Sequence, residues 1–379
     1  MTHPAITELA AAFTDPFREL GRNAGSDAGA VVLSWPAVPI EIIHACGLRA
    51  VLARSAQDPT PAADLRLERG VFPVRLHQLV EAALTGRLAH VAGIILPRTS
   101  DPDYKCFLYL REFARRGIGG PFPPVVLFDF LQSDGPEIAS YNGARAKQLM
   151  DQLGSWSGSR PHPDDLGAAI HCANAARAAA NRLQALRGAN PRLAGQEAMP
   201  ALAAFWQLAP ERYAQLADSI VSAVRTRSVR SGPRVLLAGS PVDSPALHAV
   251  VEAQGATIVD ELGPYGRDAT GDPIDPGADG LAALVQRYRM SPTSARTPLA
   301  RMRQRIESAL ADADTVVVHE PMDDATFGWD YPWLRSLLAQ RGIGHVVTRV
   351  GPSGVPPEHL KALGALLKTY PHRAAARHG

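Results

Sequence analysis

The feature that most constrains the fold of this chain is an internal repeat of alternating strand and helix patterns. The stretch "VVLSWPAVPIEIIHACGLRAVLA" in the first half pairs with "VLLAGSPVDSPALHAVVEAQGATIVDE" in the second half. In both, a strand-like run ends in a small polar residue, a turn containing proline follows, and a glycine closes the helix before the next strand. This order indicates a parallel sheet flanked by helices. We therefore expect two α/β lobes of similar topology.

A second pair of segments extends the repeat through the rest of each lobe. The motif "RGIG" stands between a helix pattern and a strand pattern at Arg116–Gly119 and again at Arg341–Gly344, and Pro97 and Pro321 each end the preceding strand. Two such lobes usually bind ligands in the cleft between them. The predicted fold is therefore α/β, with two flavodoxin-like parallel-sheet lobes that face a central cleft and a helical bridging region between them.

The chain has 379 residues, which is too many for one ordinary hydrophobic core. Residues 136–228 are rich in alanine and show apolar residues at helical spacing, with no strand pattern. We divide the sequence into an N-terminal helical segment (1–29), a first α/β lobe (30–135), a helical bridging region (136–231) and a second α/β lobe (232–379).

The composition argues against several classes of function. The net charge is only +2, so no strong electrostatic field would attract nucleic acid. Three widely spaced cysteines without a CxxC motif argue against a disulfide framework and against a metal site built from them together. The first twenty residues lack the apolar segment of a signal peptide. No apolar run reaches the roughly 18 residues that a membrane span needs, so we expect a cytoplasmic protein.

Polar residues at the predicted strand ends are the candidates for a functional site. Loops at the carboxyl ends of strands carry the chemistry in most α/β proteins, and here "PRTSD" in the first lobe corresponds to "PMDD" in the second. An equally good interpretation makes Asp101 and Asp323 simple helix caps. The substrate-binding candidates are Ser34, Ser100, Asp101, Ser240, His319 and Asp323. The aromatic run 327–333 either packs in a core or covers an acyl or adenine group.

The order of the motifs resembles the 2-hydroxyacyl-CoA dehydratase family, which also includes the small subunits of benzoyl-CoA reductases. The resemblance rests on "VPIEIIHACGLRAV", "LPRTSDPDYKCFLYLRE", "FDFLQSD" with "YNGARAKQL", "RVLLAGSPVDSPALHAVVEAQGATIV" and "VVVHEPMDDATFGWDYPWLRSLL". It covers roughly residues 30–350. It implies two flavodoxin-like lobes, an acyl-CoA substrate, a homologous partner subunit and a separate ATP-dependent activator.

The resemblance also implies a [4Fe–4S] cluster, held by cysteines on the loops after these strands. At the corresponding positions this sequence has Ser100 and Met322, and the third position, near Gln132–Ser133, again lacks cysteine. Serine and the neutral methionine are poor cluster ligands. We therefore expect no metal site and no cofactor on this chain, with a [4Fe–4S] cluster on a partner subunit.

Several functions remain open from the sequence. The resemblance favours a subunit of a lyase complex that removes water from 2-hydroxyacyl-CoA thioesters. A non-catalytic paralogue that binds acyl-CoA or a partner, or a benzoyl-CoA reductase-like subunit, would carry the same motifs. A cluster-free enzyme could instead use Ser100, Asp101, His319 and Asp323 in acid–base chemistry. The sequence does not identify the acyl group or the catalytic residues.

Overall fold

The structure is a computed structural model, and it describes residues 3–14, 20, 29–54, 58–68, 70–242, 244–275, 277, 279–291, 297–320, 327–349 and 355–370. The first helix, α1 (Pro4–Thr14), lies in the segment predicted to be helical. Its buried residues, Leu9 among them, pack against the helices of the bridging region. This helix therefore belongs to the core of the molecule, although it precedes the first lobe in sequence.

The first lobe is a four-stranded parallel sheet with the strand order β2-β1-β3-β4. Its strands β1 and β3 are fully buried, as expected when helices cover a parallel sheet. The elements in chain order are β1 (Ala30–Leu33), α2 (Ile40–Ala45), β2 (Arg49–Leu52), α3 (Pro61–Asp64), α4 (Val74–Leu84), β3 (Gly93–Pro97), α5 (Asp101–Arg116) and β4 (Val125–Phe128).

The bridging region is helical, as the alanine-rich pattern predicts, and no residue from 136 to 228 lies in a strand. Its helices are α6 (Pro136–Ser157), α7 (Pro163–Ala185), α8 (Gly195–Ala203) and α9 (Pro210–Val224). Small side chains explain how α7 packs closely against α2 and α9, because Ala173, Ala176 and Ala180 are completely buried along it. The alanines thus serve packing between helices.

The second lobe repeats the topology of the first. Its four parallel strands have the order β6-β5-β7-β8, which matches β2-β1-β3-β4 position by position. The elements are β5 (Arg234–Gly239), α10 (Ala246–Ala253), β6 (Thr257–Glu261), α11 (Arg267–Thr270), α12 (Gly280–Arg289), α13 (Leu299–Ala309), β7 (Thr315–His319), α14 (Tyr331–Gln340), β8 (His345–Thr348) and α15 (Pro357–Lys368).

The repeated glycine of "RGIG" has the same backbone conformation in both lobes. Gly117 follows α5 with φ of 64°, and Gly342 follows α14 with φ of 63°. A positive φ at this position is costly for residues with a Cβ atom, so glycine ends both helices in the same way. Together with the matching strand orders, this confirms the predicted pair of similar α/β lobes.

A buried polar cluster joins the two lobes through the bridging region. The Tyr288 hydroxyl of α12 donates to Glu41 Oε2 of α2 over 2.9 Å and accepts from the Ile40 backbone N–H at 3.2 Å. Arg177 of α7 forms an ion pair with Glu41 and donates to the Tyr288 hydroxyl at 3.3 Å. The carboxylate is therefore compensated where three parts of the chain meet. None of the helices in the described ranges is both long and apolar enough to cross a membrane.

Candidate functional site

The strand ends of the first lobe converge on one buried carboxylate, that of Asp103. Ser34, which follows β1, donates from Oγ to Asp103 Oδ1 over 2.7 Å. Arg75, in the first turn of α4, binds both carboxylate oxygens at 2.9 and 2.8 Å and also donates to the Ser34 carbonyl oxygen at 2.7 Å. The Asp103 side chain is only 1% exposed. The pair is thus a desolvated, bidentate salt bridge, in which each charge compensates the other.

Ser100, in the loop after β3, is the third residue that bonds to Asp103. It is the N-cap of α5, and its hydroxyl accepts from the Asp103 backbone N–H at 3.2 Å and donates to Asp103 Oδ2 at 2.5 Å. Asp101 is the first residue of the helix and is exposed. The interpretation of Asp101 as the helix cap is therefore wrong. The N-cap is the preceding residue, Ser100, which has the extended backbone that an N-cap needs.

The sequence reasoning missed the two charged residues of this network. Arg75 and Asp103 are 28 positions apart, and no local pattern joins them. One signal was available, because Ser100 followed three residues later by Asp103 resembles the first half of a capping box. The structure thus brings together Ser34 and Ser100, as expected for strand-end residues, but around a carboxylate that was not among the candidates.

The corresponding site of the second lobe joins Ser240 and His319. The Ser240 backbone N–H donates to the His319 carbonyl oxygen at 2.8 Å. In return, His319 Nδ1 lies 3.0 Å from the Ser240 carbonyl oxygen, which can only accept, so Nδ1 carries the hydrogen. Both residues are 5% exposed. The Ser240 hydroxyl is buried, yet no described residue forms a hydrogen bond with it.

A small cavity lies beside the Ser240 hydroxyl. Its volume of about 10 Å³ is close to what a single water-sized group requires. The wall is formed by the ends of β5 and β6 and the loops that follow them: Leu237, Ala238, Ser240, Pro241, Val242, Glu261, Leu262, Gly263, Pro264 and Tyr265. The unpaired hydroxyl can therefore donate to one oxygen atom that enters this space.

The loop after β4 also presents buried acceptors without donors. Asp129 Oδ2 accepts from the Tyr141 hydroxyl at 3.4 Å and lies 3.6 Å from Arg98 Nη1. Asp129 Oδ1 and Gln132 Oε1 are buried, and neither has a hydrogen-bond partner within the described ranges. A buried acceptor that lacks its hydrogen bond costs about 1–3 kcal/mol. Both positions therefore suit a ligand that brings N–H or O–H groups.

The described residues do not fit an iron–sulfur cluster. Cys106 is completely buried among apolar side chains of the first lobe, and burial raises the pKa of its thiol far above the ordinary value. The Cys46 thiol lies 3.8 Å from the Met150 carbonyl oxygen, and burial raises its pKa to about 11. Cluster ligands must be thiolates. Within the described ranges no group of three or more His, Cys, Asp or Glu side chains is placed to hold a metal ion.

Two of the predicted positions, Met322 and Asp323, lie outside the described residues. In the aromatic run that follows them, Trp329 is 85% exposed. Trp333 is partly buried, and the Arg303 guanidinium lies 4.8 Å from the centre of its ring. The run is thus divided between surface and core. Because Trp329 is exposed, the prediction that part of the aromatic run 327–333 covers a bound group stays a prediction.

The pattern of a family described as 2-hydroxyglutaryl-CoA dehydratase, D-component, matches residues 37–350. This range includes strands β2 to β8 and the bridging helices, and β1 (Ala30–Leu33) precedes it. Among curated proteins, none matches the sequence. The family match extends over most of the chain and agrees with the resemblance of its strand-end motifs. The chain therefore belongs to the 2-hydroxyglutaryl-CoA dehydratase D-component family.

Proposed function

We propose that this chain is the acyl-CoA-binding subunit of a 2-hydroxyacyl-CoA dehydratase-type complex, and that it carries no iron–sulfur cluster of its own. The observation that carries the proposal is a group of buried polar atoms that have no hydrogen-bond partner among the described residues and lie just after strands of both lobes. The group includes Asp129 Oδ1, Gln132 Oε1 and Ser240 Oγ. Such atoms are unfavourable unless a ligand or water completes their hydrogen bonds.

An acyl-CoA thioester offers groups that complement these atoms. Its thioester carbonyl oxygen can accept from the Ser240 hydroxyl, which lines a cavity of about one atom's width. The amide N–H groups of its pantetheine arm can donate to Asp129 Oδ1 and Gln132 Oε1. His319 keeps the Ser240 backbone in place through two hydrogen bonds. In this proposal the ligand lies in a cleft between the lobes.

The serines of the first lobe have a different role in this proposal. Ser34 and Ser100 already share their hydroxyl groups with Asp103, which Arg75 neutralises. They hold the ends of β1 and β3 in place, while the exposed Asp101 is left as an outer contact of the ligand. A thioester oxygen would reach Ser100 only at the expense of its bond to Asp103.

The electron chemistry then belongs to other subunits. A homologous subunit would carry the [4Fe–4S] cluster, and an ATP-dependent activator would reduce it. The ion pair of Arg75 and Asp103 supports this assignment of the cluster to another subunit. Asp103 binds the hydroxyl of Ser100, the position at which the family resemblance implies a cysteine ligand. The same observation favours a second candidate, a paralogue that binds acyl-CoA without taking part in catalysis.

Binding is tested by calorimetric titration of the full chain with 2-hydroxyglutaryl-CoA, butyryl-CoA and benzoyl-CoA, alone and with any subunit that co-purifies. Ser240→Ala and Gln132→Leu should each weaken binding about three- to tenfold, since a hydrogen bond contributes about 0.5–1.5 kcal/mol. Ser222→Ala is the control, because its hydroxyl bonds only to the Asp218 carbonyl on the surface of α9. No detectable heat with any thioester would overturn the proposal.

The cluster is tested separately by anaerobic reconstitution with iron and sulfide, followed by gel filtration. The chain should retain neither metal nor visible charge-transfer absorption, and Ser100→Cys should not restore them, because Asp103 and Arg75 still fill the loop. Stoichiometric iron and sulfide on the wild-type chain would disprove this part. Dehydratase activity that requires the chain, together with its partners, separates the catalytic subunit from the inactive paralogue.

A further inference from the structure

A second cavity lies at the opposite end of the first sheet from the strand-end site. It has a volume of about 680 Å³, is open to solvent, and is bordered by α2, α7, the start of α9 and the amino ends of β1 and β2. The volume is within the usual range for small-molecule sites, about 300–1,000 Å³. Its lining residues are Gly29, His44, Ala45, Cys46, Gly47, Leu48, Arg49, Ser159, Asp165, Ala168, Ala169, Cys172, Ala209, Pro210 and Glu211.

The histidine of this cavity presents an acceptor. His44 Nδ1 lies 3.1 Å from the Leu48 carbonyl oxygen, which can only accept, so Nδ1 carries the hydrogen. Burial lowers the pKa of His44 below its ordinary value, although Glu41 and Glu211 oppose the effect. The ring is therefore neutral at pH 7, and Nε2 is left as a hydrogen-bond acceptor.

The two cysteines of the cavity are protonated and already use their hydrogens. Cys172 is hydrogen-bonded to Glu211, which raises the pKa of the thiol and lowers that of the carboxyl. Cys46 lies 3.8 Å from the Met150 carbonyl oxygen. Neither thiol is a thiolate at neutral pH, which is the form that binds a soft metal. The cavity therefore does not have the chemistry of a metal or redox centre.

Among the described residues, the charged side chains of the wall leave an excess of negative charge. Glu211 and Asp165 are carboxylates, whereas Arg49 is the one cation of this described lining and donates to the Gln207 carbonyl oxygen at 3.3 Å. The polar groups that can face a ligand are thus mainly acceptors, and alanine and proline side chains form the apolar remainder of the wall. A matching ligand must supply hydrogen-bond donors and positive charge.

We propose that this cavity binds a small organic cation, an alkylammonium or alkylguanidinium group on a short apolar body. The cationic head lies against Glu211 and His44, and the apolar body lies along Ala168 and Ala169 of α7. The cavity is formed by other residues than the acyl-CoA site, so this inference does not depend on the proposed function. The proposed cation would bind at the amino end of the first sheet, whereas the proposed acyl-CoA binds at the carboxyl ends of the strands.

The test uses probes that share one carbon chain and differ in the head group. The full chain is titrated by NMR with pentylamine, pentanol and pentanoate, and with agmatine as the guanidinium probe. We expect saturable binding of pentylamine and agmatine, at least tenfold weaker binding of pentanol, and none of pentanoate. Equal affinity for pentylamine and pentanol, or no binding of either cation, would overturn the inference.

Two variants and a control locate the site. Glu211→Gln should weaken pentylamine binding at least fivefold, and Ala168→Leu should block all probes, because the new side chain occupies the cavity from an exposed position on α7. Glu112→Gln is the matched control, since that carboxylate is exposed on α5 and pairs with Arg115. Unchanged affinity in Glu211→Gln would contradict the assignment.

The thiol of Cys172 provides an independent readout. Cys172 is partly exposed, whereas Cys46 and Cys106 are buried. An ammonium group that binds Glu211 weakens the bond of the carboxylate to the thiol and adds positive charge beside it, so the midpoint of the pH dependence of Cys172 alkylation should move to lower pH. Simple obstruction by a ligand would reduce the rate without moving the midpoint, and that result would argue against contact with Glu211.

Discussion

Two serines at equivalent positions of the repeat have different surroundings. Ser34 and Ser240 each follow the first strand of their lobe, and the backbone N–H of each donates to the neighbouring strand, to Ile95 and to His319 respectively. The Ser34 hydroxyl bonds to Asp103, whereas the Ser240 hydroxyl has no partner in the part of the chain that the structure describes. The same residue type at the same position therefore belongs to a hydrogen-bonded network in one lobe and not to the equivalent network in the other.

At this scale we predict that Asp103→Ala destabilises the protein by about 3–5 kcal/mol, because Arg75 is left as a buried charge without its carboxylate. Urea unfolding measures the change. The control is Glu112→Ala on the same helix, whose exposed pair with Arg115 is screened by solvent and should contribute little to stability. Equal losses for the two variants would contradict a structural role for the buried pair.

At the scale of elements, the second sheet ends in a close backbone contact between β5 and β7. Gly239 is the last residue of β5 and pairs in register with His319 of β7. Its φ is 101°, and a Cβ atom placed on it would lie 2.2 Å from the His319 carbonyl oxygen. The carboxyl end of this sheet therefore requires glycine for two reasons, the backbone conformation and the lack of space.

We expect glycine-to-alanine substitutions at two positions to have opposite signs. Gly239→Ala should lower stability by more than about 2 kcal/mol, because strain and the steric clash act together. Gly143→Ala, within α6, should raise stability by about 0.5–1 kcal/mol, because the added Cβ meets no atom within 4 Å. Thermal unfolding of both variants measures the two changes in stability. A stability change of the same sign in both variants would contradict the strain and steric clash inferred at Gly239.

At the scale of the whole molecule, buried charges join the bridging region to the second lobe. Arg187, just after α7, donates to Glu261 Oε1 at 2.8 Å, and His248 Nε2 of α10 lies 2.9 Å from Glu261 Oε2. Burial by itself would raise the pKa of Glu261, but His248 and Arg187 outweigh it and lower the pKa to about 2. The carboxylate is thus ionised in the folded protein at every pH above that value.

Stability should consequently depend on pH. Because the folded pKa of Glu261 is lower than the unfolded value of 4.5, its contribution is fully present above about pH 5 and is lost as pH falls towards 2. The loss amounts to a few kcal/mol on the linkage relation. Urea unfolding at pH 5, 4 and 3 should show a flatter dependence for Glu261→Gln than for the wild type. Glu8→Gln, which removes an exposed pair with Arg212, should keep the wild-type slope.

The sequence by itself determined the alternation of strands and helices, the helical region between the lobes and their common topology. These follow from local causes: the spacing of apolar residues along each element, and glycine where a helix ends with positive φ, as at Gly117 and Gly342. The strand-end positions Ser34, Ser100, Ser240 and His319 were also predictable, because parallel strands bring their carboxyl ends to one edge of each sheet.

Only the tertiary structure decided what those residues contact. The salt bridge of Arg75 with Asp103 and the cavity beside Cys172 and Glu211 join side chains that are tens of residues apart in sequence. No periodicity encodes such a contact, since it depends on how helices pack against the sheets and on which buried charges must be paired. The periodicity of the sequence therefore predicted where the candidate residues lie along the fold, and tertiary packing determined which of them form hydrogen bonds with other described residues.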